Sequence, residues 1–205
     1  MNRLIISLLV LVLAGNVWAA SVGGDKDPNG VYLQCPLPVD LRKKNVGGSD
    51  GAGLCVFTSI EYAALYQDVY QLKEFQKWMR SHPGGGYPEK VDRMIEKLCQ
   101  EKGWPKPRYI QNTTGDLDIL IRACRSGRPP GITYSFSPSG RYGGGKIAHM
   151  VSLFHATGDW WGIADNNYPN EIEWLTTEEF VRTFGGKSGW SVILLQPGPP
   201  KKLRN

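Results

Sequence analysis

Three residue types that act together in nucleophilic catalysis stand at separate places in this chain. Cys55 lies in the segment Gly51-Ala-Gly-Leu-Cys-Val-Phe-Thr-Ser, where a glycine-rich loop leads into a run typical of an amphipathic helix. His149 lies inside one apolar run, and Asp165-Asn166 closes another. The dipole and free N–H groups of a helix N-terminus favour a thiolate over a thiol. A distant imidazole can take the thiol proton, so the pattern predicts thiol chemistry.

The general base that we predict is His149, one of three histidines in the chain. Imidazole suits the role because its ordinary pKa lies near neutrality. His82 abuts a Pro-Gly turn, whereas His155 follows His149 by six residues in the same run and stays an alternative. We predict that Asp165 orients His149 by accepting the imidazole N–H, with Asn166 as the alternative orienter. The competing interpretation of Asp-Asn-Asn before Tyr-Pro is a turn.

The hydrophobic periodicity places helices first and strands second. Helices are predicted over 54–80 with a break near Gln67-Asp68, over 89–101, from Asp116 or Thr114 to Ser126, and from a capping box at Thr176 to Gly185. Strands are predicted over 132–136, 148–156, 160–164, 172–175 and 190–195, and residues 20–39 are expected to form an irregular lead-in. This segregation predicts an α+β fold with two lobes, a helical lobe at about 40–108 and a β lobe at about 109–198.

The first nineteen residues are typical of a secretory signal peptide. Asn2-Arg3 gives a short positive start, residues 4–13 are apolar, and Val17-Trp-Ala19 fits a small-x-small cleavage site. We predict cleavage after Ala19 or one residue later, with an uncleaved anchor as the alternative. The mature domain, 20–205, is then secreted or periplasmic with no membrane segment. The net charge of +5 is carried by scattered basic residues, so no nucleic-acid partner is expected.

The four cysteines are Cys35, Cys55, Cys99 and Cys124, and their spacing matches no zinc pattern. We therefore expect no metal and no cofactor. An exported protein can hold disulfides, and with Cys55 free at most one bridge forms. The pairing that we expect is Cys99–Cys124.

Four segments, in order along the chain, resemble papain-like cysteine peptidases. Pro38-Val-Asp-Leu-Arg-Lys-Lys is similar to the opening of the mature domain, and Gly53-Leu-Cys55-Val-Phe-Thr-Ser resembles the nucleophile segment. Gly85-Gly86-Tyr87-Pro88 resembles the glycine pair that lines the substrate cleft. Ala148-His149-Met-Val-Ser-Leu and Trp161-Gly-Ile-Ala-Asp165-Asn166 resemble the strands that carry the catalytic His and its partner, which in the family follows the His by about sixteen positions.

The resemblance implies an exported, monomeric cysteine peptidase that cleaves a peptide or protein substrate with Cys55, His149 and Asp165. A peptide that pairs as a strand needs bare main chain beside it, which Gly85 and Gly86 would supply. Tyr87 and Pro88 would then border the pocket for the residue before the scissile bond.

Two departures from the family affect the expected activity. The family places an oxyanion-hole Gln about six residues before the nucleophile, where this chain has Ser49. Loss of one oxyanion donor costs roughly 10²–10³ in rate, and Asn45 is a candidate replacement. The family's inhibitory pro-segment is also missing before Cys55. Two alternatives therefore stay open: a catalytically weak or inactive papain-like peptide-binding module, and another thiol hydrolase such as a cell-wall amidase.

Overall fold

A computed structural model describes residues 20–47, 53–185 and 189–199 of the chain. The predicted signal peptide, 1–19, and the oxyanion candidate Ser49 lie outside these ranges. The described chain is a mixed α+β structure with five α-helices and one seven-stranded antiparallel sheet. The α+β class predicted from the sequence is therefore confirmed.

The sheet has the spatial order β1-β6-β5-β4-β3-β7-β2, and every neighbouring pair is antiparallel. The helices are α1 (Cys55–Gln67), α2 (Phe75–Met79), α3 (Pro88–Lys102), α4 (Leu117–Arg125) and α5 (Thr177–Phe184). The strands are β1 (Ser21–Gly23), β2 (Tyr109–Asn112), β3 (Gly131–Tyr134), β4 (His149–Ala156), β5 (Trp160–Ala164), β6 (Ile172–Thr176) and β7 (Ser191–Leu194).

Local sequence signals set most of the helix ends. α1 stops where Asp68 takes the left-handed conformation, with φ 59°, which confirms the predicted break. α3 stops at Gly103 in the same conformation. The Asp116 carboxylate caps α4 by accepting two backbone N–H groups, and Thr176 with Glu179 forms the predicted capping box of α5.

The lead-in is not wholly irregular, which corrects the prediction for residues 20–39. β1 pairs with β6 at one edge of the sheet, with Ser21 opposite Trp174. All three residues of β1 are exposed. So short a strand carries no alternation of apolar and polar residues, and hydrophobic periodicity could not reveal it.

The buried apolar side chains form three clusters, and α1 lies in the middle of the molecule. The first cluster joins α1, α2 and α3 to β7, and it includes Phe57, Phe75 and Ile95. The second fills the space between the sheet, α4 and α5, and the third covers β4, β5 and β6 under the lead-in. Because α1 packs against β4, its first turn lies at the end of the sheet where β4 begins.

Candidate active site

Cys55 and His149 line the same cavity. Cys55 is the first residue of α1 and His149 is the first residue of β4. The Ser59 hydroxyl, one turn into α1, donates to the Met150 carbonyl at 3.1 Å and holds the helix to the strand. The cavity has a volume of about 200 Å³. It is lined by Cys55, Val56, Gly86, Tyr87, Thr133, Ala148, His149, Met150 and Trp190.

The His149 ring is held between Asp165 and Cys55. Its Nε2 lies 2.8 Å from Asp165 Oδ1, and both side chains are fully buried. This contact follows from the topology, since the start of β4 and the residue after β5 share one end of an antiparallel pair. Among the described residues Nδ1 has no oxygen or nitrogen partner. Nδ1 is thus the ring atom left for the Cys55 thiol, which is close enough to raise the pKa of the imidazole.

Tyr142 and Asn167, which the sequence analysis did not single out, complete the surroundings of Asp165. The Tyr142 hydroxyl donates to Asp165 Oδ2 at 2.6 Å, and the Asn167 backbone N–H donates to Oδ1 at 2.9 Å. The Asn167 amide in turn donates to the Tyr142 hydroxyl at 3.0 Å. Both carboxylate oxygens are therefore hydrogen-bonded, and the orientation of Asp165 is fixed.

Tyr142 reaches Asp165 from a strained backbone. Its φ of 61° is left-handed, a conformation that non-glycine residues adopt at a cost of about 1–3 kcal/mol. The ring packs edge-on against His149, with centroids 5.9 Å apart. In the sequence, Tyr142 stands among glycines in Gly140-Arg-Tyr-Gly-Gly-Gly, a pattern that by itself predicts only a loop and does not indicate the contact with Asp165.

A buried carboxylate, Glu173 on β6, anchors the loop before Tyr142. It accepts from the Ser137 hydroxyl at 2.6 Å and from the Ser139 backbone N–H at 3.1 Å, and the Tyr134 hydroxyl also donates to it. Arg141 lies 4.0 Å from Glu173. The loop that carries Tyr142 is thus fixed to the sheet.

The charges at the site favour a protonated His149 beside an ionised Asp165. Burial acts to lower the pKa of His149, but the hydrogen bond with Asp165 and the neighbouring Cys55 outweigh it and raise the pKa to about 9. Burial acts to raise the pKa of Asp165, yet the hydrogen bonds from His149, Tyr142 and Asn167 hold it below the ordinary value. At neutral pH the arrangement can therefore hold an imidazolium next to the sulfur.

Asn166, the alternative orienter, has a different task. Its amide donates to the Cys55 carbonyl at 3.1 Å, the Ser59 hydroxyl at 2.9 Å and the Met150 carbonyl at 2.9 Å. These contacts connect the first turn of α1 to β4. The structure thus corrects this alternative: Asp165 contacts the imidazole, and Asn166 joins the two elements that carry Cys55 and His149.

Two of the four predicted substrate-binding residues, Gly86 and Tyr87, line the cavity. Gly86 must be glycine, because an added Cβ would lie 2.5 Å from Val56 Cβ. Tyr87 is about half exposed. Gly85 is half-buried in the same loop, and Pro88 begins α3, where its carbonyl accepts from Gln111.

Asn45, the oxyanion candidate in the described chain, contacts the two residues that follow Asp165. Its backbone N–H donates to the Asn166 carbonyl at 2.7 Å, and its amide donates to Asn167 Oδ1 at 3.2 Å. These contacts direct the Asn45 side chain toward residues 166–167 and not toward Cys55. The other candidate, Ser49, lies outside the described residues.

The other histidines stay away from the cavity. His155 is fully buried, with Nε2 3.5 Å from Asp27 Oδ2 and its ring edge-on against Trp174. A β-bulge between Leu153 and His155 interrupts the alternation on β4. His82 stacks on Trp78 at 4.2 Å. His155, the alternative base, therefore does not line the cavity that Cys55 shares with His149.

All four cysteines lie in the described chain, and each is a free thiol. Cys99 packs in the cluster around α1 and α3. Cys124 instead adjoins Cys35. The expected pairing of Cys99 with Cys124 is therefore wrong. Among the described residues no group of His, Cys, Asp and Glu is arranged to hold a metal ion.

A scan against protein-family models found no match, and a search of curated protein sequences found no significant match. Within the described ranges, no helix has both the length and the apolar character needed to cross a membrane. The assignment of a function therefore depends on the site itself.

Proposed function

We propose that this chain is an exported, monomeric cysteine peptidase with a papain-like two-lobe arrangement. The observation that carries the proposal is the buried row of side chains in which Asp165 contacts His149, and His149 lies beside Cys55 in the lining of one cavity. Nucleophile, base and orienting acceptor in this order form the constellation of a thiol hydrolase. The reaction requires no metal and no cofactor.

The first half of the reaction uses the ion pair. The Cys55 thiolate attacks the peptide carbonyl, and negative charge develops on the carbonyl oxygen next to the Cys55 backbone N–H, which lies in the first turn of α1. His149, protonated at Nδ1, gives its proton to the leaving amine as the C–N bond breaks. The products are a free amine and a thioester on Cys55.

The second half returns the enzyme to its starting state. His149, now neutral, accepts a proton from water as the water oxygen attacks the thioester carbonyl. The C–S bond breaks, the acid product leaves, and Cys55 and His149 again share one proton as thiolate and imidazolium. Asp165 keeps the ring in place through both halves by its contact with Nε2.

The cavity favours an extended polypeptide with an apolar side chain. The Gly86 main chain packs directly on Val56, next to the nucleophile, so a peptide strand can pass close to it. Val56, Ala148, Met150 and Trp190 give the cavity apolar walls. A space of about 200 Å³ holds one aliphatic side chain.

The division of the core supports two lobes that meet at the site. Cys55 belongs to the cluster of α1, α2 and α3, and His149 begins the strand against which the other two clusters pack. Export is supported by the contact of the Ala20 backbone nitrogen, which donates to Glu179 Oε1 at 3.0 Å. Cleavage after Ala19 would place the new α-ammonium group beside this carboxylate and leave β1 in the sheet.

The test is alkylation of Cys55 by a peptidyl epoxide and by iodoacetamide. We expect fast labelling of the native protein, a large loss of rate in His149→Ala, and no change in the control Cys99→Ala, which removes a thiol elsewhere in the same cluster. Cys55→Ala should abolish cleavage of unfolded protein substrates. If Cys55 is labelled at the rate of an ordinary exposed thiol, whether or not His149 is present, the proposed enzymatic activity is refuted.

A substrate panel separates the remaining alternatives. Cleavage of peptides with an apolar residue before the scissile bond supports the peptidase. Release of fragments from peptidoglycan without cleavage of those peptides would instead identify a cell-wall amidase. Tight, non-hydrolytic binding of the same peptides by the wild-type protein would identify a binding module.

A further inference from the structure

Cys35 and Cys124 form a pair of buried thiols that are not among the residues lining the cavity. Both side chains are completely buried, and Cys35 Sγ lies 3.5 Å from the Cys124 carbonyl oxygen. The two thiols are also close enough that Cys35 raises the pKa of Cys124. Cys35 belongs to the lead-in and Cys124 to α4, so the two residues are 89 positions apart in the chain.

Strand β4 holds both cysteines in place. The Cys35 backbone N–H donates to the Phe154 carbonyl at 2.9 Å, and the Cys124 thiol lies 3.5 Å from the carbonyl oxygen of Leu153. Two adjacent residues of one strand thus position the two thiols. A chance contact between mobile side chains would not be fixed from both sides in this way.

We propose that Cys35 and Cys124 are joined by a disulfide in the exported protein, while Cys55 and Cys99 stay thiols. The proposal rests on the export that is part of the proposed function, since disulfides persist in oxidising compartments. It does not depend on peptidase activity.

The bond forms by exchange with a protein disulfide or with glutathione disulfide. One cysteine thiolate attacks the oxidant's disulfide and releases one thiol, and the second cysteine then attacks the mixed disulfide and releases another. The two cysteines lose two protons and two electrons, and the oxidant gains both as two thiols. Burial and the neighbouring Cys35 raise the pKa of Cys124 well above its ordinary value, so exchange should occur before the core closes.

The bridge would also separate the reactive cysteine from the structural ones. Cys55 is the one cysteine among the residues that line the cavity, and it belongs to a different cluster from Cys35 and Cys124. Once these two are joined and buried, the Cys55 thiolate cannot reach the bond to exchange with it. The nucleophile would thus stay free in a compartment that oxidises accessible thiol pairs.

The test counts thiols in two preparations of the full chain. One is exported to a bacterial periplasm with its own leader, and the other is purified reduced from a cytoplasm and refolded with glutathione disulfide. Each is unfolded in guanidinium without reductant, alkylated with iodoacetamide and mapped by mass spectrometry. We expect two alkylated cysteines, Cys55 and Cys99, and a cross-linked peptide that contains Cys35 and Cys124.

Four alkylated cysteines in both preparations, or a bridge that includes Cys55 or Cys99, would overturn the proposal. A bridge in the refolded preparation alone would support the pairing and refute export. A bridge without fast labelling of Cys55 would refute the peptidase and leave the disulfide standing.

A second measurement does not rely on mapping. Reductant should lower the melting temperature of the wild-type protein and of the matched control Cys99→Ala by the same amount. It should not change that of the Cys35→Ala/Cys124→Ala double variant. An equal response of all three proteins to reductant would contradict a structural role for the bridge.

Discussion

The Asn166 amide donates to the Cys55 carbonyl across 111 positions of sequence, at 3.1 Å. Asn166 directly follows Asp165, which holds His149. The turn after β5 therefore contacts both halves of the candidate active site, the nucleophile through its main chain and the imidazole through its partner. A shift of this turn would move both groups at once.

Replacement of Asn166 by Ala should weaken both the fold and the site. Three buried acceptors, the carbonyls of Cys55 and Met150 and the Ser59 hydroxyl, lose their common donor. We expect the free energy of unfolding to fall by about 1–3 kcal/mol and alkylation of Cys55 to slow by about tenfold or more. Urea denaturation and iodoacetamide kinetics measure the two effects.

The control for this variant is Asn170→Ala, which changes an exposed asparagine in the same turn region. It should leave both quantities unchanged. If Asn166→Ala loses stability but alkylates at the wild-type rate, the turn supports the fold without positioning Cys55.

Sequence patterns predicted the elements of the site better than its internal contacts. The ends of α1, α3 and α5 and the strands that carry His149 and Asp165 follow from caps, glycines and apolar runs, all of which are local signals. Tyr142 could not be predicted in this way. Its role depends on a left-handed residue in a loop that Glu173 anchors from another strand, and no spacing along the chain encodes that contact.

The choice between Asp165 and Asn166 shows the same limit. Both residues are polar and follow the end of β5, and their separations from His149 along the chain differ by one residue. Asp165 contacts the imidazole and Asn166 points toward α1, a difference set by how the chain turns after Ala164. The Cys35–Cys124 contact likewise joins parts of the chain 89 residues apart, and the sequence holds no signal that could have replaced the expected Cys99–Cys124 pair with it.

Tyr142→Phe should shift the acid limb of the activity profile to higher pH. The Tyr142 hydroxyl is one of the donors that hold the pKa of Asp165 below its ordinary value. A group of this kind stabilises the fold above its unfolded pKa, and the stabilisation is lost as pH falls through the folded pKa. Without the hydroxyl the folded pKa rises, so the loss begins at higher pH, and at neutral pH the variant should lose up to about 1.5–3 kcal/mol of stability.

The comparison for this variant is Tyr168→Phe, because Tyr168 packs its ring edge-on against Tyr142. Activity and thermal melting between pH 3 and 7 should separate the two variants. Superimposable profiles for Tyr142→Phe and Tyr168→Phe would show that the hydroxyl has no part in the ionisation of Asp165.

Activity and stability should both decline as pH rises through about 9, where His149 loses its proton. The folded pKa lies above the ordinary value of 6.5, so the stabilisation from the charged ring is complete below 6.5 and is lost as pH rises through about 9. The leaving amine also loses its proton donor in the same range. kcat/KM and thermal melting, measured from pH 6 to 10, test both statements.

The Cys55→Ala variant isolates the contribution of the thiol to this titration. Cys55 is one of the groups that raise the pKa of His149, while Asp165 stays in contact with Nε2. We expect the pKa of His149, followed by NMR of the imidazole protons, to fall in Cys55→Ala. An unchanged titration would mean that sulfur and imidazole do not interact in solution.

Gly86→Ala should impair recognition of peptides more than the reactivity of Cys55. The added Cβ meets Val56 Cβ at 2.5 Å, so the loop must move away from α1, and such overpacking costs about 1–3 kcal/mol. We expect slower alkylation by a peptidyl epoxide with little change for iodoacetamide. The control Gly24→Ala should have no effect, because an added Cβ there meets nothing within 4 Å.

A double-mutant cycle with Val56 tests the same contact. Val56→Ala keeps the Cβ that clashes with the one added at Gly86, so Val56→Gly is the variant that should relieve the effect of Gly86→Ala. Strict additivity of the two changes would show that the Gly86 main chain does not pack on α1 beside Cys55.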